Sequence, residues 1–260
     1  MTAAPQVVVY PNAELLAAAT AARLVTRLVD AQATKGSASL VLTGGSTGVA
    51  VLEQLRATPA RDAIDWARVD LYWGDERFLP EGDPERNETQ ARAVLLDHVP
   101  IDPARVHAMA ASDGPLGADP EAAAAAYAEL LAKAARPEDH GPVPNFDVCL
   151  LGVGGEGHTA SIFPASPAVY ETERSVVAVH GCPKPPPIRI SLTLPAIRRA
   201  SEVWLMTTGP TKAAAVAMAV GAAGEIQVPA AGAQGQRRTL WLVDRAAAAK
   251  VPGVFMPPLA

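Results

Sequence analysis

The run Leu150-Leu151-Gly152-Val153-Gly154-Gly155-Glu156-Gly157-His158-Thr159-Ala160-Ser161-Ile162-Phe163-Pro164 carries the strongest chemical signal in the chain. An apolar stretch ends in glycines; a histidine and small hydroxyl residues follow. Imidazole is the side chain best matched to moving a proton near neutral pH. Glycines let backbone approach a ligand closely or take angles closed to other residues. A lone histidine is more often structural. The glycine cluster at the end of an apolar run favours His158 as a general base. His98, His107, His140 and His180 lack that context and read as structural or exposed.

Anion chemistry has its own candidates. Thr43-Gly44-Gly45-Ser46 lies where a strand gives way to a helix. The first amides of a helix are unpaired and attract negative charge. Ser46 and Thr47 add hydroxyl donors. The segment lacks the Gly-Lys-Ser/Thr of a Walker loop and the full dinucleotide pattern. Alone it reads equally well as a tight turn with a cap. Arg77, Arg189 and Lys212 are the candidate cations for a phosphate, by forked guanidinium or by point charge. Lys212 falls in the first turn of a helix, where its charge opposes the dipole, a placement that makes sense if it serves a ligand. Asp75 and Glu76 follow a strand ending in Tyr72-Trp73; a carboxylate there can orient an imidazole, bind sugar hydroxyls or pair with Arg77. No close His/Asp/Glu set points to a metal.

The elements that position these residues alternate. Strands are expected at 7–10, 39–42, 69–73, 146–151, 176–180, 188–192, 202–206 and 240–243. Helices are expected at 13–33 with Asn12 as N-cap, 47–56, 87–98, 120–135, 195–200 and 211–220. Such alternation implies an α/β fold: a mostly parallel, doubly wound, Rossmann-like sheet with helices on both faces. In open parallel sheets ligands bind beyond the carboxyl ends of the strands. The polar clusters after 42, 73, 151 and 206 are therefore expected to converge on one crevice.

Composition narrows the class. The 260 residues suit one large α/β domain or two small ones, and 49% hydrophobic content supports a substantial core. A net charge of -5 argues against a general nucleic-acid binder. No apolar run is long enough to span a bilayer, and residues 1–10 lack the pattern of a signal peptide. Cys149 and Cys182 are not closely spaced and are expected as free thiols, so a cytoplasmic protein is expected.

The ordered set of motifs resembles the 6-phosphogluconolactonase family within the glucosamine-6-phosphate isomerase/deaminase superfamily. The resemblance rests on Leu42-Thr43-Gly44-Gly45-Ser46, Trp73-Gly74-Asp75-Glu76-Arg77 and the 152–164 segment. It extends to Arg189-Ile190-Ser191-Leu192-Thr193, the Thr208-Gly209…Lys212 turn, and Asn87 with Leu95-Leu96-Asp97-His98-Val99. It implies one domain over 1–260 and hydrolysis of 6-phospho-D-glucono-1,5-lactone without metal or organic cofactor. It also implies His158 as base and Asp75 at the sugar or the attacking water. Gly44, Gly45, Ser46, Gly157, Arg77, Arg189 and Lys212 would bind substrate. The implied partner is a small sugar phosphate, with no nucleic acid or membrane, and the chain a monomer or small homo-oligomer. One departure stands out: the family usually has aspartate two residues before the histidine, and here Glu156 stands there. Two other readings remain open, a glucosamine-6-phosphate deaminase/isomerase and a non-catalytic sugar-phosphate sensor. Arg77 after Asp75-Glu76, and the sequence after His158, depart from the deaminase pattern. A sheet beginning at Val7 leaves no room for the DNA-binding helices of a regulator.

Overall fold

The computed structural model describes residues 4–221 and 223–253. Among these residues, nine strands form two sheets. The larger is six-stranded and wholly parallel, in the order β1-β9-β8-β5-β2-β3. Its strands are β1 (Gln6–Tyr10), β2 (Ala38–Leu42), β3 (Val69–Trp73), β5 (Val148–Gly152), β8 (Glu202–Thr207) and β9 (Arg238–Asp244). The smaller is antiparallel, in the order β4-β7-β6, from β4 (Asp75–Arg77), β6 (Val176–Val179) and β7 (Arg189–Leu192). Flanking helices are α1 (Ala13–Lys35), α2 (Gly45–Ala57), α3 (Asn87–Val94), α4 (Pro120–Ala134) and α6 (Ala213–Val220). Three single-turn helices, α5 (Leu194–Ile197), α7 (Pro229–Gly232) and α8 (Arg245–Ala248), complete the set.

The second sheet was not legible as such in the sequence. Only a short proline-rich loop joins β6 to β7, and a parallel pair needs a crossover of a dozen residues or more. The two strands therefore pair antiparallel, Val179 opposite Arg189. Asp75, Glu76 and Arg77, expected as a loop cluster, form the third strand against β7. Smaller differences have local causes. Gly44 takes the N-cap of α2, so that helix starts at Gly45 rather than at 47. The expected 87–98 helix breaks at Leu95, which leaves the helical region, and resumes as a 3-10 turn. Pro210 opens a 3-10 turn ahead of α6. Asn12 caps α1 as expected, its side chain accepting from the Leu15 amide at 2.9 Å.

The topology fixes where a ligand sits. From β2 the chain passes to β3 on one side; from β5 it next enters this sheet at β8 on the other. The β2/β5 boundary is thus the switch point, where diverging loops leave a crevice beyond the strand ends. Both strands are almost wholly buried and read as continuous apolar runs. At the opposite end of the sheet, buried Asp147 ties them together. It accepts from the Ser39 amide at 2.8 Å, and Lys35 Nζ lies 2.9 Å away. Both cysteines are free and buried. Among the described residues, no helix is long and apolar enough to cross a membrane.

Candidate active site

A cavity of about 340 Å³ opens at the switch point. Segments following β2, β3, β5 and β8 line it, together with the proline-rich loop before β7. The expected convergence occurs: Gly44, Gly45, Ser46, Asp75, Arg77, His158, Arg189 and Lys212 all face this one space. Gly157 does not. Its Cα packs toward Val228, and its carbonyl accepts from the Ala230 amide at 3.0 Å. Its place is behind the loop, shaping it.

The anion end is built on α2. No side chain caps this helix, so its first amides stay unpaired. Gly44 is required for packing: a Cβ there would lie 1.8 Å from Asn87 Oδ1. Asn87 in turn donates to the Asp75 carbonyl at 2.9 Å, and its own amide donates to Glu76 Oε1 at 2.7 Å. Buried Glu76 also receives the Arg77 and Glu88 amides at 2.8 and 2.9 Å. Burial raises its carboxyl to about 7, against the opposing pull of Arg86 and those amides. Glu76 is thus a brace that joins β4 to α3, and not a substrate contact.

Across the cavity, Thr47 and Thr208 hydroxyls meet at 3.3 Å. Asp244, at the end of β9, receives the Gly209 amide at 3.1 Å on each carboxylate oxygen and so holds the turn that presents Lys212. Burial, and then the neighbouring Lys184, lower the Lys212 ammonium below its ordinary range. Close cations with few counter-charges favour an anionic guest.

His158 stands at the end of β5, its ring stacked on Phe163 with centroids 4.4 Å apart. Nδ1 is buried and lies 3.0 Å from Glu156 Oε1, a contact too bent to be a well-formed hydrogen bond, though the carboxylate still favours the protonated ring. Nε2 is left as the nitrogen toward the cavity. Burial first, then Lys184, lower the imidazole pKa; Glu156 and Asp75 act in the opposite direction. Asp75 is buried, accepting from Ser161 Oγ at 2.7 Å, with Arg189 Nη1 at 3.8 Å.

Two cations are more engaged than the sequence foretold. Arg189 donates to the carbonyls of Lys184, Pro185 and Pro186 at 3.1 to 3.3 Å. It props the proline-rich loop, and only Nη1 is left for Asp75. Arg77 Nη1 donates to the Glu85 carbonyl. Conversely, Lys184, which the sequence did not single out, lines the cavity. Its ammonium lies 3.0 Å from the Glu156 carboxylate.

The crevice thus joins the uncapped start of α2, two lysines and an imidazole at the switch point of a parallel α/β sheet. The profile of glucosamine-6-phosphate isomerases/6-phosphogluconolactonase matches residues 11–241, and the chain belongs to that family. It is 66% identical over 258 residues to a Streptomyces coelicolor protein named 6-phosphogluconolactonase, covering 99% of each. It is 56% identical over 244 residues to the Mycobacterium tuberculosis protein of the same name, covering 94% of this chain and 97% of that one. The solved structure of 6-phosphogluconolactonase from Trypanosoma brucei superposes with a TM-score of 0.77 at 27% identity. That match covers 97% of this chain and 100% of the other.

Proposed function

We propose that this cavity hydrolyses 6-phospho-D-glucono-1,5-lactone to 6-phospho-D-gluconate, a step of the oxidative pentose phosphate pathway, with His158 as general base. The observation that carries the reading is that His158, the uncapped start of α2 and Lys212 line one space. The name shared by full-length relatives supports the choice of lactone.

In this mechanism His158 Nε2 takes a proton from water as the water oxygen bonds to C1. The carbonyl oxygen becomes an oxyanion, which needs donors already in place. The glycine-rich loop before His158 offers backbone amides for this role. The Gly154 and Gly157 amides are spent inside that loop, on the His158 and Gly154 carbonyls, so other amides of the loop must serve. The bond from C1 to the ring oxygen then breaks, and the imidazolium returns its proton to that oxygen. The phosphate rests on the α2 amides, the Ser46 and Thr47 hydroxyls and Lys212. Asp75, held by Ser161, faces the sugar and favours the protonated imidazole.

The direct test is turnover of the lactone above its spontaneous opening in water. Ammonia release from glucosamine 6-phosphate would instead assign the deaminase chemistry, and no acceleration of either reaction would leave a sensor. Two further results are expected. Lys212→Ala raises KM by about ten- to a hundredfold, the worth of one charged hydrogen bond, with a smaller effect on kcat. The pH profile follows the imidazole, which acts when neutral. Because burial and Lys184 lower its pKa, kcat/KM falls on acidification with a midpoint below 6.5. A midpoint above that value would separate the activity from His158.

A further inference from the structure

Glu156 has two suitors and serves one. Its carboxylate takes a well-formed hydrogen bond from Lys184 Nζ at 3.0 Å. Its contact with His158 Nδ1 is equally short, at 3.0 Å, but bent, and among the described residues that buried nitrogen has no better partner. A buried imidazole N–H with only a bent acceptor is weakly held and poorly fixed in orientation. A small movement of the Glu156 carboxylate would correct both defects. Lys184 opposes that movement.

Lys184 is also placed to be drawn away. Its side chain is 45% exposed and reaches the cavity from a loop whose backbone Arg189 holds at three successive carbonyls. The loop is anchored while the lysine stem is free to swing. Lys184 and Lys212 sense each other electrostatically, with Glu156 as the carboxylate acting on both. A dianion entering beside them relieves that repulsion and competes with Glu156 for Lys184.

We propose that Lys184 is a positioning residue that couples the anionic group of the substrate to the alignment of His158. While its ammonium is paired with Glu156, it holds that carboxylate off line. When a phosphate draws the ammonium, Glu156 swings onto Nδ1–H, fixes the tautomer with Nε2 as base, and supports the imidazolium that forms. The inference rests on the lactonase reading for its substrate, but the coupling itself is a property of the side chains. The charged groups that act on the imidazole are Glu156 from its own loop, Lys184 from the proline-rich loop and Asp75 from β4. Lys212, from the turn after β8, lines the same cavity.

The test uses the full chain with ¹⁵N-labelled histidine and inorganic phosphate as the probe. In the wild type, saturating phosphate at constant pH is expected to bring out a downfield, hydrogen-bonded Nδ1 proton on His158. In Lys184→Met that signal is present without phosphate and changes little when phosphate is added. Glu156→Gln lacks the carboxylate-bonded signal in both conditions. Kinetics give an independent sign. With unphosphorylated δ-gluconolactone, Lys184→Met is expected to turn over faster than wild type, by up to about tenfold, and added phosphate no longer stimulates it. With the phosphorylated lactone the same variant shows a raised KM. A merely structural lysine would instead lower both rates. Lys184→Gln repeats the comparison with a polar side chain. The proposal is overturned if Lys184→Met without phosphate gives the wild-type spectrum, or if phosphate shifts both proteins equally. Absence of turnover by the wild type on either lactone would sink the lactonase reading alone, since the spectra would still decide the coupling.

Discussion

Replacing His158 with alanine is expected to lower kcat for the phosphorylated lactone by about a thousandfold, within the range general-base catalysis supplies. KM should change little. The imidazole faces the cavity from the end of β5, whereas the α2 amides and Lys212 that bind the anion belong to other segments. Removing the ring also removes its stacking on Phe163, a buried core residue that lies outside the strands of both sheets. The fold should therefore survive, as a thermal melt would verify. Glutamine at 158 should be no better than alanine, because it fills the space without accepting a proton at neutral pH. The measurement is initial rate with spontaneous opening subtracted. Near-normal kcat in either variant would remove His158 from the chemistry.

Gly154→Ala is expected to lower kcat by about a hundredfold although it removes no group that reacts. A Cβ built on Gly154 would lie 1.9 Å from His158 Nδ1 and 2.2 Å from its Cε1. The ring must then move by more than an ångström, and displacement of that size costs on the order of a hundredfold in rate. The backbone cannot yield easily. The Gly154 amide donates to the His158 carbonyl at 2.9 Å, and its carbonyl accepts from Gly157 at 3.0 Å. The same methyl would lie 2.9 Å from Glu156 Oε2, so it disturbs the carboxylate as well. The expected signature is a low kcat with substrate binding retained, read by comparing kcat with the dissociation constant of 6-phosphogluconate. A variant with wild-type kcat would show that the imidazole need not lie over Gly154.

These two residues illustrate what was visible in the sequence. His158 was legible because glycines and a buried apolar run flank it, a local pattern. The individual duty of Gly154 was not, because it depends on the ring folding back over it. The parallel sheet was legible from Leu40-Val41-Leu42 and Val148-Cys149-Leu150-Leu151, whose lack of alternation marks burial on both faces. The antiparallel sheet was hidden, since 176–179 and 189–192 look like any other apolar runs until the brevity of their connection is weighed. Arg189 was legible as a cation, but the three carbonyls it holds belong to a loop conformation that periodicity does not encode. Lys184 was missed for a related reason. Its partner is 28 residues away in sequence, and a lysine before prolines carries no local sign of a site.

Among the described residues, β1 lies at an edge of the large sheet and pairs with β9, far along the chain. During synthesis, β1 therefore waits, its hydrogen-bonding edge unmatched, until β9 has left the ribosome. Long-range closure of this kind is slow and leaves a reactive edge exposed meanwhile. The final strand also delivers Asp244, the clamp on the Lys212 turn. Ligand binding thus becomes available only once β9 has been made, and nascent fragments stopping short of β9 should be clients for chaperones, not partly working enzymes.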